Sequence, residues 1–98
     1  MVHVKSDLIE HLEVSTGTTI SLESLRHTHP PYFTPIPFIE LPSALMLLSQ
    51  QRSDEEGENS CVFTLKAAKP FSGRLAIGFR DMQTQYITHR KEISVVIW

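Results

Sequence analysis

Hydrophobic and polar positions alternate along the last third of the chain. From Ser60, the residues Cys61, Phe63 and Leu65 fall on one side, and Val62, Thr64 and Lys66 on the other. A period of two predicts a strand with one buried face. After a break at Lys69-Pro70-Phe71-Ser72-Gly73 the alternation resumes, with Leu75, Ile77 and Phe79 set against Arg74, Ala76, Gly78 and Arg80. Residues 81–85 read as a hairpin loop. A last strand then runs from about Tyr86 into Ile93-Ser94-Val95-Val96-Ile97-Trp98, apolar on both faces at its end, as a central or covered strand is. The expectation for residues 60–98 is a three-stranded antiparallel meander.

Upstream the period changes. Leu41, Ala44, Leu45 and Leu48 are spaced i, i+3, i+4, i+7, behind a Pro42 that suits a first helical position. This predicts a helix over Pro42–Arg52 packed on one face of the sheet. Met46 and Leu47 lie off the stripe, so a second element or subunit is expected to cover them. Residues 53–59 carry no apolar side chain and read as a solvated connector.

Residues 6–25 fit two readings. Ser6 ahead of Asp7-Leu8-Ile9-Glu10 is a plausible N-cap for a short helix ending near Gly17, where positive φ is expected. Alternatively Glu13–Ser15 and Thr18–Leu22 pair as strands across that glycine. Between this region and the Pro42 helix, residues 26–38 hold four of the six prolines, Pro30, Pro31, Pro35 and Pro37. Proline fixes φ and removes a backbone donor, so the stretch is excluded from helix interiors and central strands. It reads as a rigid extended strap. The fold class expected is α+β: a three- to four-stranded, mainly antiparallel sheet, one main helix and the proline strap, in a single domain of 98 residues.

Composition narrows the function. One cysteine, Cys61, permits no internal disulfide. The start of the chain has no signal-peptide core, and no stretch approaches the roughly 18 apolar residues of a membrane span. A cytoplasmic location without membrane contact is the expectation. Net charge is −2, unevenly spread. Residues 1–60 hold nine acids against three bases and residues 61–98 six bases against two acids, a net of −6 and of +4. Such asymmetry fits mutual neutralisation within the fold, or an anionic partner for the basic half.

No phosphate loop, HExxH, GxSxG or DFG is present. His27 and His29 point the same way in an extended segment, but His3, His11, His89 and Cys61 stand at no metal-ligand spacing relative to them. Cys61 shares the apolar side of its strand with Phe63 and Leu65, where a thiol behaves as a small hydrophobe rather than a nucleophile. No cofactor, metal or catalytic set is expected. What remains is apolar surface: Tyr32, Phe33, Phe38, Met46, Leu47 and Trp98 exceed what so small a core easily covers. The reading is a non-enzymatic regulatory or adaptor protein that binds another protein, as a homodimer, with a phage, viral or plasmid accessory role as one setting. The alternative is a nucleic-acid-binding protein that uses Lys66, Arg74, Arg80 and Arg90 as a basic sheet face.

Overall fold

The computed structural model describes residues 1–24, 27–28, 35–55, 58–81 and 84–98, and of residues 27–28, 35, 53–55, 58–60, 88 and 89 the backbone alone. Among the described residues the chain forms strands and no helix: β1 (Val2–Lys5), β2 (His11–Val14), β3 (Thr19–Glu23), β4 (His27–Thr28), β5 (Pro35–Glu40), β6 (Leu45–Glu55), β7 (Glu58–Ala67), β8 (Phe71–Asp81) and β9 (Ile87–Ile97). No helix is long and apolar enough to cross a membrane.

The strands make two mixed sheets. In the first, β7 is central, with β6 along one edge and β3 then β4 along the other; β1 adds to β3 in parallel, so the sheet is four strands wide. The second has the order β2-β9-β8-β5, with β2 parallel to β9 and the rest antiparallel. Each sheet turns one row of apolar residues inward. The first contributes Ile20, Leu22, Leu45, Cys61, Phe63, Leu65 and Ala67, and the second Leu12, Val14, Leu75, Ile77, Ile93, Val95 and Ile97, all buried in one cluster. This is a β-sandwich, two half-hydrophobic layers hiding their inner faces against each other.

The α+β expectation is therefore corrected. The segment expected as the Pro42–Arg52 helix is a turn, closed by Leu45 N donating to Pro42 O at 3.1 Å, followed by the long edge strand β6. The cause of the misreading is local. Leu47 pairs with Leu65 and Ser49 with Thr64, which leaves Leu48 as an extra, bulged residue. A bulge shifts the two-residue period by one. The inward and outward leucines then fall at spacings that imitate a helix stripe. Leu48 itself is 50 % exposed. Ten residues paired along β7 outweigh the intrinsic helix preference of Leu and Met.

The three-stranded meander is corrected as well. β8 and β9 pair as expected, but β7 and β8 lie in different sheets, and residues 68–70 carry the chain across. In residues 6–25 the helical reading does not hold, and the strand reading holds for the strands but not for their pairing. β2 and β3 do not pair with each other, because β2 joins β9 while β3 joins β7 and β1. Gly17 does adopt positive φ, at 91°, in the turn between them.

Two glycines and two prolines shape the second sheet. A Cβ on Gly78 would stand 3.0 Å from the Arg90 Cα and 3.0 Å from the Phe38 ring. Its absence lets Phe38 lie across the outer face opposite a bulge in β9. A Cβ on Gly73 would collide with the Phe71 ring, which folds over that backbone at the core margin. Pro35 and Pro37 stand two apart in β5, so both missing donors face the same edge. β5 is an edge strand and has a free side to give them.

The sandwich assigns opposite fates to two leucines that the helical spacing treats alike. Leu45→Ala, at a buried position, should cost about 2–5 kcal/mol in denaturant unfolding, and Leu48→Ala should stay within about 0.5 kcal/mol of the parent.

Candidate functional site

The connections sort to the two ends of the sandwich. At one end, residues 68–70 join β7 to β8, Gly17 N donates to Ala67 O at 2.7 Å, and Thr16 N donates to Trp98 O at 2.8 Å. The end of β7, the start of β8 and the end of β9 therefore lie together. The start of β7, the end of β8 and the start of β9 then lie at the other end. Glu55 pairs with Glu58 there, His27 with Asn59, and Pro35 with Asp81. The β4–β5, β6–β7 and β8–β9 connections thus all leave from one end of a body 43 × 22 × 21 Å in extent.

The described residues of the β8–β9 connection, Asp81 and Thr84–Tyr86, are joined by hydrogen bonds. Asp81 is 7 % exposed and ends β8. Its backbone O accepts from Gln85 N at 2.9 Å and its N donates to Tyr86 O at 2.9 Å. The Thr84 hydroxyl donates to the Asp81 carboxylate at 2.9 Å, and Tyr86 N donates to the Thr84 oxygen at 3.2 Å. Gln85 sits at φ 62°, the left-handed region, where a non-glycine residue costs about 1 kcal/mol or more. The bonds around Asp81 offset that cost. Tyr86 stands opposite Asp81 where the connection enters β9, 70 % exposed, with Ile87 beside it also exposed. An exposed aromatic on a braced turn is a rigid contact group at little entropic cost.

The sequence-predicted interaction residues separate. Tyr32 and Phe33 lie outside the described residues, in the chain that joins β4 to β5. Phe38 is half-buried on β5, with the Arg80 guanidinium 5.7 Å from its ring centroid. Met46, Leu47 and Trp98 are exposed toward the opposite end. Tyr86 was visible in sequence only as an aromatic on the Arg90 side of a strand. Its signal as a contact residue is its place between two alternating runs.

The basic residues do not gather on one face. Lys66 is on the first sheet, and Arg74, Arg80 and Arg90 are on the second. Arg74 reaches Glu92 at 3.2 Å, and Arg90 reaches Glu92 at 3.1 Å and Glu40 at 3.4 Å. These pairs hold the Glu92 carboxyl below the usual carboxylate range, Arg90 first and Arg74 second. They wall a shallow cleft of about 270 Å³ over Ala76. Much of the positive charge on this face is thereby answered by its own acids.

Burial pushes the Cys61 thiol up, against weaker opposing effects of the Gln51 backbone and the Arg52 charge, so it is a thiol rather than a thiolate at neutral pH. Cys61 N donates to the buried Ser24 hydroxyl at 2.8 Å, and Ser24 N to Cys61 O at 2.7 Å, which continues the β3–β7 pairing. His29 and the side chains of His27 and His89 lie outside the described residues. Among the described residues no three His, Cys, Asp or Glu side chains come together to hold a metal.

No family model matches the chain, and no curated protein matches its sequence. Its fold is similar to that of solved structures. The crystal structure of the cysteine protease inhibitor EhICP2 from Entamoeba histolytica superposes with a TM-score of 0.75 over 99 % of this chain and 94 % of that one, at 16 % identity. The solution structure of amebosin superposes with a TM-score of 0.67 over 99 % and 97 % of the two chains, at 6 % identity. At these identities the likeness establishes the fold.

Because the folded-state pKa of Glu92 is depressed, its pairing contributes stability above the ordinary carboxylate range, lost as pH falls through the lowered value. In an NMR titration of side-chain carboxyls, Arg90→Ala should move the Glu92 midpoint upward. An unmoved midpoint would show that Arg90 is not its main partner.

Proposed function

We propose that this chain is a non-enzymatic protein-binding module whose contact surface is the sandwich end that carries the β4–β5, β6–β7 and β8–β9 connections. The observation that carries the reading is the Asp81–Ile87 connection, with Gln85 held at positive φ and Tyr86 presented to solvent. Connections on a rigid scaffold are where β-sandwiches place recognition. The reading of the partner class is supported by one of the structures of similar fold, a cysteine protease inhibitor. We assign the same class of partner here, a cysteine protease, held by contact rather than processed.

Tyr32 and Phe33, by their place in the sequence, join Tyr86 in this assignment, with Phe38 as support where β5 leaves that end. Met46, Leu47 and Trp98 belong to the other end and are the surface a homodimer would use.

Papain serves as a model cysteine protease. The intact protein at micromolar concentration should inhibit its hydrolysis of a small fluorogenic peptide, stoichiometrically and without being cleaved. Tyr86→Ala should raise the inhibition constant about 30-fold, the size of a central contact residue, with unchanged thermal stability. Absence of inhibition across several cysteine proteases would remove the partner class. A Tyr86→Ala variant that inhibits as well as the parent would remove the site.

A further inference from the structure

The N-terminal strand is attached differently from the rest of the sandwich. β1 is four residues long and, among the described residues, pairs only with β3, in parallel, the weaker of the two pairings. Met1, Val2 and Leu8 are exposed, and only Val4 and Ile9 rest against the core, each partly buried. Ser6, which follows β1, is fully buried, yet its hydroxyl has no hydrogen-bond partner. That group loses its water on closing and gains nothing in exchange.

Two backbone contacts of Ser6 work the other way. Ser6 N donates to Glu23 O at 2.8 Å, extending the β1–β3 pairing by one residue. The Lys91 ammonium donates to Ser6 O at 2.7 Å and stands 3.1 Å from the Glu10 carboxylate. Lys91 pairs with the inward-facing Ile77 on the central strands of the second sheet, and its side chain is mostly covered. It joins the two sheets by charge across a margin where apolar contact is thin. Beyond Glu10 the attachment changes: Ser94 N donates to Glu10 O at 3.0 Å, and Leu12 and Val14 are buried in the core.

From these contacts we infer that residues 1–9 form a flap that opens as a unit while the sandwich stays closed, hinged at Glu10 and latched by Lys91. Opening returns the Ser6 hydroxyl to water and bares the edge of β3, whose free donors and acceptors then accept another strand. Glu10 is largely exposed, so salt screens its part of the latch.

Native-state hydrogen exchange by NMR on the intact protein tests this. The Ser6 amide should exchange faster than those of Phe63, Leu65 and Val95, and faster still in 500 mM than in 20 mM salt. Lys91→Met keeps the apolar stem and removes the charge. It should speed exchange at Ser6 about tenfold with no change at the three core amides. Ser6→Ala, which removes the orphaned hydroxyl, should slow it. Equal acceleration of flap and core in Lys91→Met, or no change at Ser6, would overturn the flap. If Lys91→Met does not fold, Glu10→Gln and the salt series decide: protection at Ser6 that matches the core and ignores both would overturn it equally.

Discussion

Everything in this molecule follows from closing two sheets over one layer of side chains. Phe63, Leu65, Ile20 and Leu22 from one sheet meet Leu75, Ile77, Ile93 and Val95 from the other, and all are removed from water. A chain this short cannot build two cores, so each strand has to bring its apolar row to that single layer. This is why the chain changes sheets so often. It crosses between β1 and β2, again at the Gly17 turn, again between β4 and β5, again around Pro42, and again between β7 and β8. Each crossing places the next strand's inward row where the layer still has a gap.

The same constraint decides where function can sit. The interior is spent on packing, and the hydroxyl of Ser24 and the backbone of Cys61 serve the β3–β7 pairing. The charged groups on the outer face of the second sheet are largely committed to one another. What is left is the margin: edge strands and connections. Pro35 and Pro37 occupy one edge and the bulge at Leu48 roughens another, and both features discourage unwanted strand pairing. The Asp81–Ile87 connection differs: hydrogen bonds join Asp81, Thr84, Gln85 and Tyr86, and Tyr86 and Ile87 face water.

The sequence was legible where one physical effect acted alone. Alternation from Cys61 to Lys66 and from Arg74 to Arg80 marks real strands, and the doubly apolar Val95–Trp98 run ends a strand that is central in its sheet. Pro35 and Pro37 lie in β5, an edge strand, in keeping with the exclusion of proline from helix interiors and central strands. Reading failed where two effects overlapped. The bulge at Leu48 scrambled the period of β6 into a helical stripe, and nothing in Leu41–Arg52 signals that a partner strand lies ten residues downstream. Ala68-Lys69-Pro70 serves equally as a hairpin turn or as a crossover, and only the core layer chooses between them. Tyr86 drew attention as an aromatic near arginines. Its exposure depends on the Asp81 bonds and on the backbone of Gln85, which leave no mark in composition or spacing.

The account stands on the claim that one end of a stiff β-sandwich engages a protein partner. The most direct measurement is an NMR titration of the isotope-labelled protein with papain whose active-site thiol has been blocked. The account predicts amide shift changes at Asp81, Thr84, Gln85, Tyr86 and Ile87 and at the start of β5, with Leu45–Leu48 at the start of β6, β2 and Trp98 silent. Changes centred on Met46–Leu48 or Trp98 instead, with the Asp81–Ile87 connection unmoved, would contradict it.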